Sequence, residues 1–191
     1  MNIKTYYPKF LVDFVLEIQL KMLGKLILLN IPNFSNYKDK KIIIYSNHFY
    51  IYDVHILNRL IKTIFKDRKI IIWMEEYDKY PFFSKFALTL PFKEKHIRTA
   101  SIIKTIRLLN EFPNKFYFFI FPEGKLHDEN DGILDFNGKI YSFLKRIEPY
   151  YALPMVIKIK NRKIIVNFGN FELNTLSKEK LVNLLNSTFI S

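Results

Sequence analysis

The sequence contains no cysteine and only 5 glycines in 191 residues. Without cysteine there is no thiol nucleophile, no disulfide framework and no Cys/His zinc spacing, although the compartment stays open. No Gly-x-Ser-x-Gly nucleophile elbow occurs either, so no serine of that kind is placed for covalent catalysis. Neither an arginine-rich helix nor an RNA-binding aromatic signature accompanies the positive charge, which argues against a nucleic-acid partner. No small-residue cleavage site follows a short apolar run, so a cleaved signal peptide is not expected.

Apolar side chain and positive charge are abundant. The hydrophobic fraction is 49%, with 19 Phe and 12 Tyr, and the formal charge is +12. A chain of this length forms one domain with a real core. Its apolar content exceeds what such a core comfortably holds, so either part of it faces lipid or a partner, or phenylalanine stands in for leucine inside. The charge lies in short clusters at Lys38 to Lys41, Lys66 to Lys69, Lys93 to Arg98 and Lys158 to Lys163, each beside an apolar run. An anionic partner is implied, be it a membrane surface, a phosphate-bearing small molecule or nucleic acid.

The first part of the chain differs from the rest. Phe10 to Leu29 is almost wholly apolar, yet Asp13, Glu17, Lys21 and Lys25 recur every four positions and would form one charged stripe on a helix. Such a helix would be about 30 Å long, but four charges make it a poor membrane span. It reads as an amphipathic helix or helical pair lying in a membrane interface, or else a helix packed on the domain's own core. Residues 1–36 are therefore expected to be a membrane-associated helical segment and residues 37–191 the main domain.

Beyond Pro32, strands and helices alternate. Lys41 to Tyr45, Ile70 to Trp73, Phe116 to Phe121, Ala152 to Ile159 and Ile164 to Phe168 have strand length and β-branched or aromatic character. Val54 to Ile64, Phe82 to Leu90, Ile97 to Leu109 and Lys178 to Leu185 have helical apolar spacing. The expected fold is α/β, a mixed and largely parallel sheet flanked by helices.

Two motifs follow predicted strands, where such sheets place chemistry. Asn47-His48-Phe49-Tyr50-Ile51-Tyr52-Asp53 puts a histidine five residues before an aspartate. Chance alone gives roughly 0.2 such pairs in a chain of this composition, so the spacing is weak by itself. Phe121-Pro122-Glu123-Gly124 is far rarer, about one in a thousand for shuffled sequence. On a continuous helix His48 and Asp53 would point apart, but across a strand-to-helix turn they can meet. Asp53 would then select the imidazole tautomer and leave a general base for a hydroxyl group. The bland alternative is an N-cap aspartate beside a polar turn histidine. Asn47 is expected to hold the turn, while His55, His96 and His127 are given no catalytic role. At the second motif, Glu123 could accept from hydroxyl groups or from backbone amides, or simply cap a turn.

Together these motifs resemble the lysophosphatidic acid acyltransferase family of glycerolipid synthesis. Tyr80-Pro81-Phe82-Phe83, Phe136-Asn137-Gly138 and Leu153-Pro154 resemble further family segments, so the likeness covers roughly residues 40 to 160. The resemblance implies transfer of a fatty acyl group from acyl-CoA to a lysophospholipid hydroxyl in phospholipid synthesis or remodelling. His48 would be the base and Asp53 its orienting carboxylate. Asn47, Phe121, Pro122, Glu123, Gly124 and Lys125 would belong to the substrate site, with Lys93 or Arg98 beside the acceptor phosphate. Acyl-CoA would be a co-substrate, and no metal or bound cofactor is implied.

The chain departs from the family where Lys125 and Leu126 stand in place of threonine and arginine, because lysine cannot grip phosphate bidentately. Without the long C-terminal hydrophobic extension of multi-span members, a monotopic or peripheral membrane protein is expected, at the endoplasmic reticulum in a eukaryote or the plasma membrane in a bacterium. The competing expectations are a catalytically inactive lipid-binding or membrane-tethering protein of the same fold and, from charge alone, a nucleic-acid-binding domain.

Overall fold

A computed structural model describes residues 9–50, 52–75, 77, 81–92, 95–173 and 177–190. Its centre is an eight-stranded sheet. The strands are β1 (Lys25–Leu29), β2 (Ile42–Ser46), β3 (Lys69–Met74), β4 (Leu88–Pro91), β5 (Phe116–Ile120), β6 (Tyr151–Lys160), β7 (Lys163–Phe168) and β8 (Glu172–Leu173). They lie in the order β1-β7-β6-β2-β5-β3-β4, with β8 paired to the start of β6. β6, β2, β5, β3 and β4 run parallel, whereas β7 is antiparallel to β6 and β1 is parallel to β7. The α/β, largely parallel expectation therefore holds.

The helices are α1 (Lys9–Leu23), α2 (Asp53–Thr63), α3 (Lys95–Glu111), α4 (Gly138–Arg146) and α5 (Lys178–Ile190). They cover both faces of the sheet, which is why β2 reads as the uninterrupted apolar run Ile-Ile-Ile-Tyr rather than as an alternation. Ile42 and Ile44 face Leu20 of α1 and Ile56, Leu57 and Leu60 of α2. Ile43 and Tyr45 face the other layer, built from α3, α4 and α5 through Leu109, Phe143, Leu144, Leu181 and Leu185. Each fully buried isoleucine of β2 contributes about 1.5–3 kcal/mol of apolar transfer.

Pro154 sits within an interior strand, an unusual position because proline cannot donate to the ladder. It pairs with Tyr45 on the β2 side, and on the other side it falls between the β8 pairing, which ends at Ala152, and the β7 pairing, which begins at Met155. Its carbonyl accepts from Gly169 N at 2.9 Å. Any side chain on Gly169 would begin 2.6 Å from the proline ring.

Two sequence expectations are corrected. Phe10 to Leu29 is not continuous helix, since the helix ends at Leu23 and Lys25–Leu29 becomes a strand on β7. The break is Gly24 at φ 147°, where a Cβ would lie 2.1 Å from the Arg162 carbonyl oxygen. The segment before residue 37 thus supplies a strand of the sheet as well as a flanking helix. Phe82 to Leu90 is not a helix either. A short 3-10 helix over Pro81–Lys85 leads directly into β4, where Leu88, Thr89 and Leu90 pair with β3 at the sheet edge.

The chain moves from β2 outward to β3 and β4, returns through α3 to β5 beside β2, and then crosses through α4 to β6 on the other side of β2. Connections therefore diverge around the C-terminal end of β2, the position where open α/β sheets leave a crevice for ligand.

Candidate functional site

β2 ends at Ser46, and the Asn47 side chain continues its pairing. Asn47 Nδ2 donates to Ile157 O at 2.9 Å, and its Oδ1 accepts from Ile157 N at 2.8 Å. Asn47 is fully buried, so this amide braces the turn against β6. His48 follows with its backbone fixed on both sides. Its N–H donates to Glu123 Oε2 at 3.0 Å and its carbonyl accepts from His127 N at 3.2 Å. The His48 ring stacks on Phe121, with centroids 4.1 Å apart and planes 14° apart.

His48 Nδ1 lies 3.0 Å from Asp53 Oδ2. A carboxylate opposite Nδ1 places the neutral ring's proton there and leaves the lone pair on Nε2. The imidazole side chain keeps 25% of its exposure while the aspartate keeps none. One nitrogen is thus anchored in a dry site while the ring retains access to solvent.

Asp53 is the first residue of α2, and the cap position belongs to Tyr52, which makes no side-chain cap bond. The aspartate is therefore not a simple N-cap. Its Oδ2 also accepts from Tyr50 N at 3.3 Å, while Oδ1 has no partner among the described residues. Burial pushes the Asp53 carboxyl above the usual carboxylate range. The hydrogen bond and charge of His48 and the Tyr50 amide pull against that shift, and the Glu123 charge adds to it. A buried carboxylate needs such donors, and His48 supplies the strongest.

The second motif is a tight turn closed by Gly124 N donating to Phe121 O at 3.2 Å. Gly124 has φ 75°, and a Cβ there would stand 3.2 Å from Asn137 Nδ2. Asn137 caps α4 by accepting from Lys139 N, and its own N–H donates to Pro122 O at 2.8 Å. Phe136 beside it is buried edge-on against Tyr45. The Phe136-Asn137-Gly138 run thus holds the Phe121–Gly124 turn in place.

Of the roles open to Glu123, the geometry shows the backbone one. Its side chain is fully buried, with Oε1 accepting from Leu134 N at 2.9 Å and Oε2 from His48 N. Glu123 ties the loop after β5 to the loop after β2.

Sequence reasoning missed two members of this arrangement. His127 has a side chain only 4% exposed, with Nε2 2.9 Å from Glu123 Oε2 and its ring edge-on to Phe49. Its spacing from Glu123, one helical turn in sequence, was the available signal. Tyr50 accepts from Ile159 N at 3.1 Å and donates its hydroxyl proton to Glu129, pinning the 3-10 turn Glu129–Asp131 over the His48 loop. His55 faces the other way, with Nε2 2.8 Å from Gln19 Oε1 of α1.

The basic candidates are more dispersed. Arg98 lies in the first turn of α3, at the same end of the sheet as His48, with its guanidinium 4.8 Å above the Phe92 ring. Phe92 in turn stacks on Trp73 at 4.3 Å. Lys125 is exposed directly after the Gly124 turn. Lys93 and Tyr80 lie outside the described residues. The sheet therefore brings His48, Asp53, Phe121 and Glu123 together and sets Arg98 at the same rim. No protein-family model and no curated protein matches this chain.

Proposed function

We propose that this protein is an acyl-CoA-dependent O-acyltransferase that esterifies the free hydroxyl of a lysophospholipid such as lysophosphatidic acid. The observation that carries this reading is the 3.0 Å contact between His48 Nδ1 and the buried Asp53, made at the end of the central strand and against the Phe-Pro-Glu-Gly turn. His48 Nε2 takes the proton of the acceptor hydroxyl as its oxygen attacks the thioester carbonyl. The tetrahedral adduct then collapses, the C–S bond breaks, and His48 returns the proton to the leaving CoA thiolate. Asp53 holds the ring and stabilises the transient imidazolium, an arrangement worth about 10²–10⁴ in rate. No acyl-enzyme forms in this scheme.

Two features support an amphiphilic substrate met at a membrane. On α1 the acidic side chains turn toward α2. Asp13 pairs with Lys62 at 2.8 Å, Glu17 with Arg59 at 3.0 Å, and Gln19 with His55. The outward stripe is apolar, with Phe10 73%, Phe14 65%, Ile18 42% and Met22 73% exposed. Such a face suits insertion into the headgroup boundary. At the far end of α2, a cleft of about 530 Å³ gathers Lys66, Lys69 and Lys115 beside Asp67, a net basic surface attractive to anionic headgroups. Among the described residues no helix is long and apolar enough to cross a bilayer.

The test is transfer of radiolabelled acyl groups from acyl-CoA to a panel of lysophospholipids in detergent micelles. Label is expected in a diacyl product with the wild type and not with His48→Ala. Absence of transfer from both, with vesicle binding retained, would replace the enzyme by a lipid-binding protein of the same fold.

A further inference from the structure

Behind the His48–Asp53 pair lies a second histidine–carboxylate pair that the scheme above does not use. Glu123 Oε2 accepts from the His48 amide and also faces His127 Nε2 at 2.9 Å, at an angle outside good hydrogen-bond geometry. His127 Nδ1 lies 3.2 Å from the Asp128 carbonyl and 4.0 Å from Asp131 Oδ2. Both ring nitrogens therefore face oxygen. The charged groups facing this ring are Glu123 and Asp131, while Phe49 presents only an aromatic edge.

Glu123 and Asp53 are both buried carboxylates, and the Glu123 charge acts on Asp53. The His127 backbone N–H also holds the His48 carbonyl. We infer that His127 is a positioning residue: its ring fixes the Glu123 carboxylate that accepts from the His48 amide, and so keeps the His48 ring in register with Asp53. It touches no substrate, and the inference rests on reading His48 as the base.

The experiment is histidine-selective ¹⁵N NMR on the full chain at neutral pH, with His127→Ala and His127→Gln, alongside acyl-transfer kinetics. The expected wild-type spectrum shows a His48 Nδ1–H signal held by Asp53. In either variant the His48 Nδ1–H signal should shift or broaden, and kcat should fall about tenfold to a hundredfold with acceptor KM little changed. His127→Gln retains a neutral donor and much of the volume, so it serves if the alanine variant does not fold. An unchanged His48 signal and an unchanged kcat in a folded variant would overturn the proposal. The spectra decide this even if no acyl transfer is found, so the two readings fail separately.

Discussion

The His48 loop and the α1 flank both turn charged side chains inward, with opposite consequences. At the sheet end, Asp53 and Glu123 are fully buried, and their partners are a histidine ring and backbone amides. There the burial makes each contact directional and strong, because leaving one unmade would strand a carboxylate in a dry site. Between α1 and α2, the ion pairs Asp13–Lys62 and Glu17–Arg59 keep 24% to 43% of their side-chain exposure. Pairs of that kind are worth only about 0–1 kcal/mol. They do little for stability and instead set which way α1 faces, leaving Phe10, Phe14, Ile18 and Met22 outside. Inward charge orients a histidine in one region and leaves an apolar surface exposed in the other.

Substitutions that separate these roles would break the comparison. His48→Ala has the largest expected effect, a loss of about 10²–10⁴ in acyl-transfer rate, with a lowered thermal midpoint because buried Asp53 loses its histidine donor, measured by initial rates and calorimetry. Asp53→Asn is expected to lower the rate by about a hundredfold or more while costing no stability at pH 7. The sign follows from burial, which raises the Asp53 carboxyl above its ordinary 3.8. The folded protein holds that proton more readily than the unfolded chain, so wild-type stability falls as pH rises through the interval between the two values and stays reduced above it. Denaturant titrations should show Asp53→Asn at least as stable as wild type at neutral pH, with the gap narrowing toward and below pH 3.8.

On the other flank, replacing Phe14 and Ile18 together by serine should weaken sedimentation with anionic vesicles while leaving transfer to a micellar short-chain acceptor within about twofold. The smallest expected effect is that of Glu17→Gln, about 0–1 kcal/mol in a denaturation midpoint, with the salt dependence of an exposed pair. A large destabilisation there would show that the α1–α2 pairs resemble the buried site after all.

The comparison also explains what the sequence reveals. β2, β3, β5, β6 and β7 are legible because their β-branched and aromatic runs end in charged or turn residues, and α2 and α3 because their apolar spacing is helical. β1 is hidden, since Lys25–Leu29 continues the apolar run of α1 with only Gly24 as punctuation. β4 is four residues at an edge, and α4 carries its start signal in Asn137 capping Gly138–Arg146, a signal absorbed by the motif around it. In the site, His48, Asp53 and Glu123 stand out by residue type and position after strands. His127 and the Tyr50–Glu129 contact do not, because they depend on the path of the loop from Lys125 to Leu134 back over β2.

The central claim is that His48, oriented by Asp53, activates a lipid hydroxyl against acyl-CoA. Because the chain has no cysteine, a thiol-reactive dye reports released CoA without background from the protein. The decisive measurement is lysophosphatidic acid-dependent CoA release by wild type, Asp53→Asn and His48→Ala, each shown to be folded. The account predicts rates falling in that order, with the last near the uncatalysed level. Equal rates in all three, with CoA release still dependent on the acceptor, would contradict it.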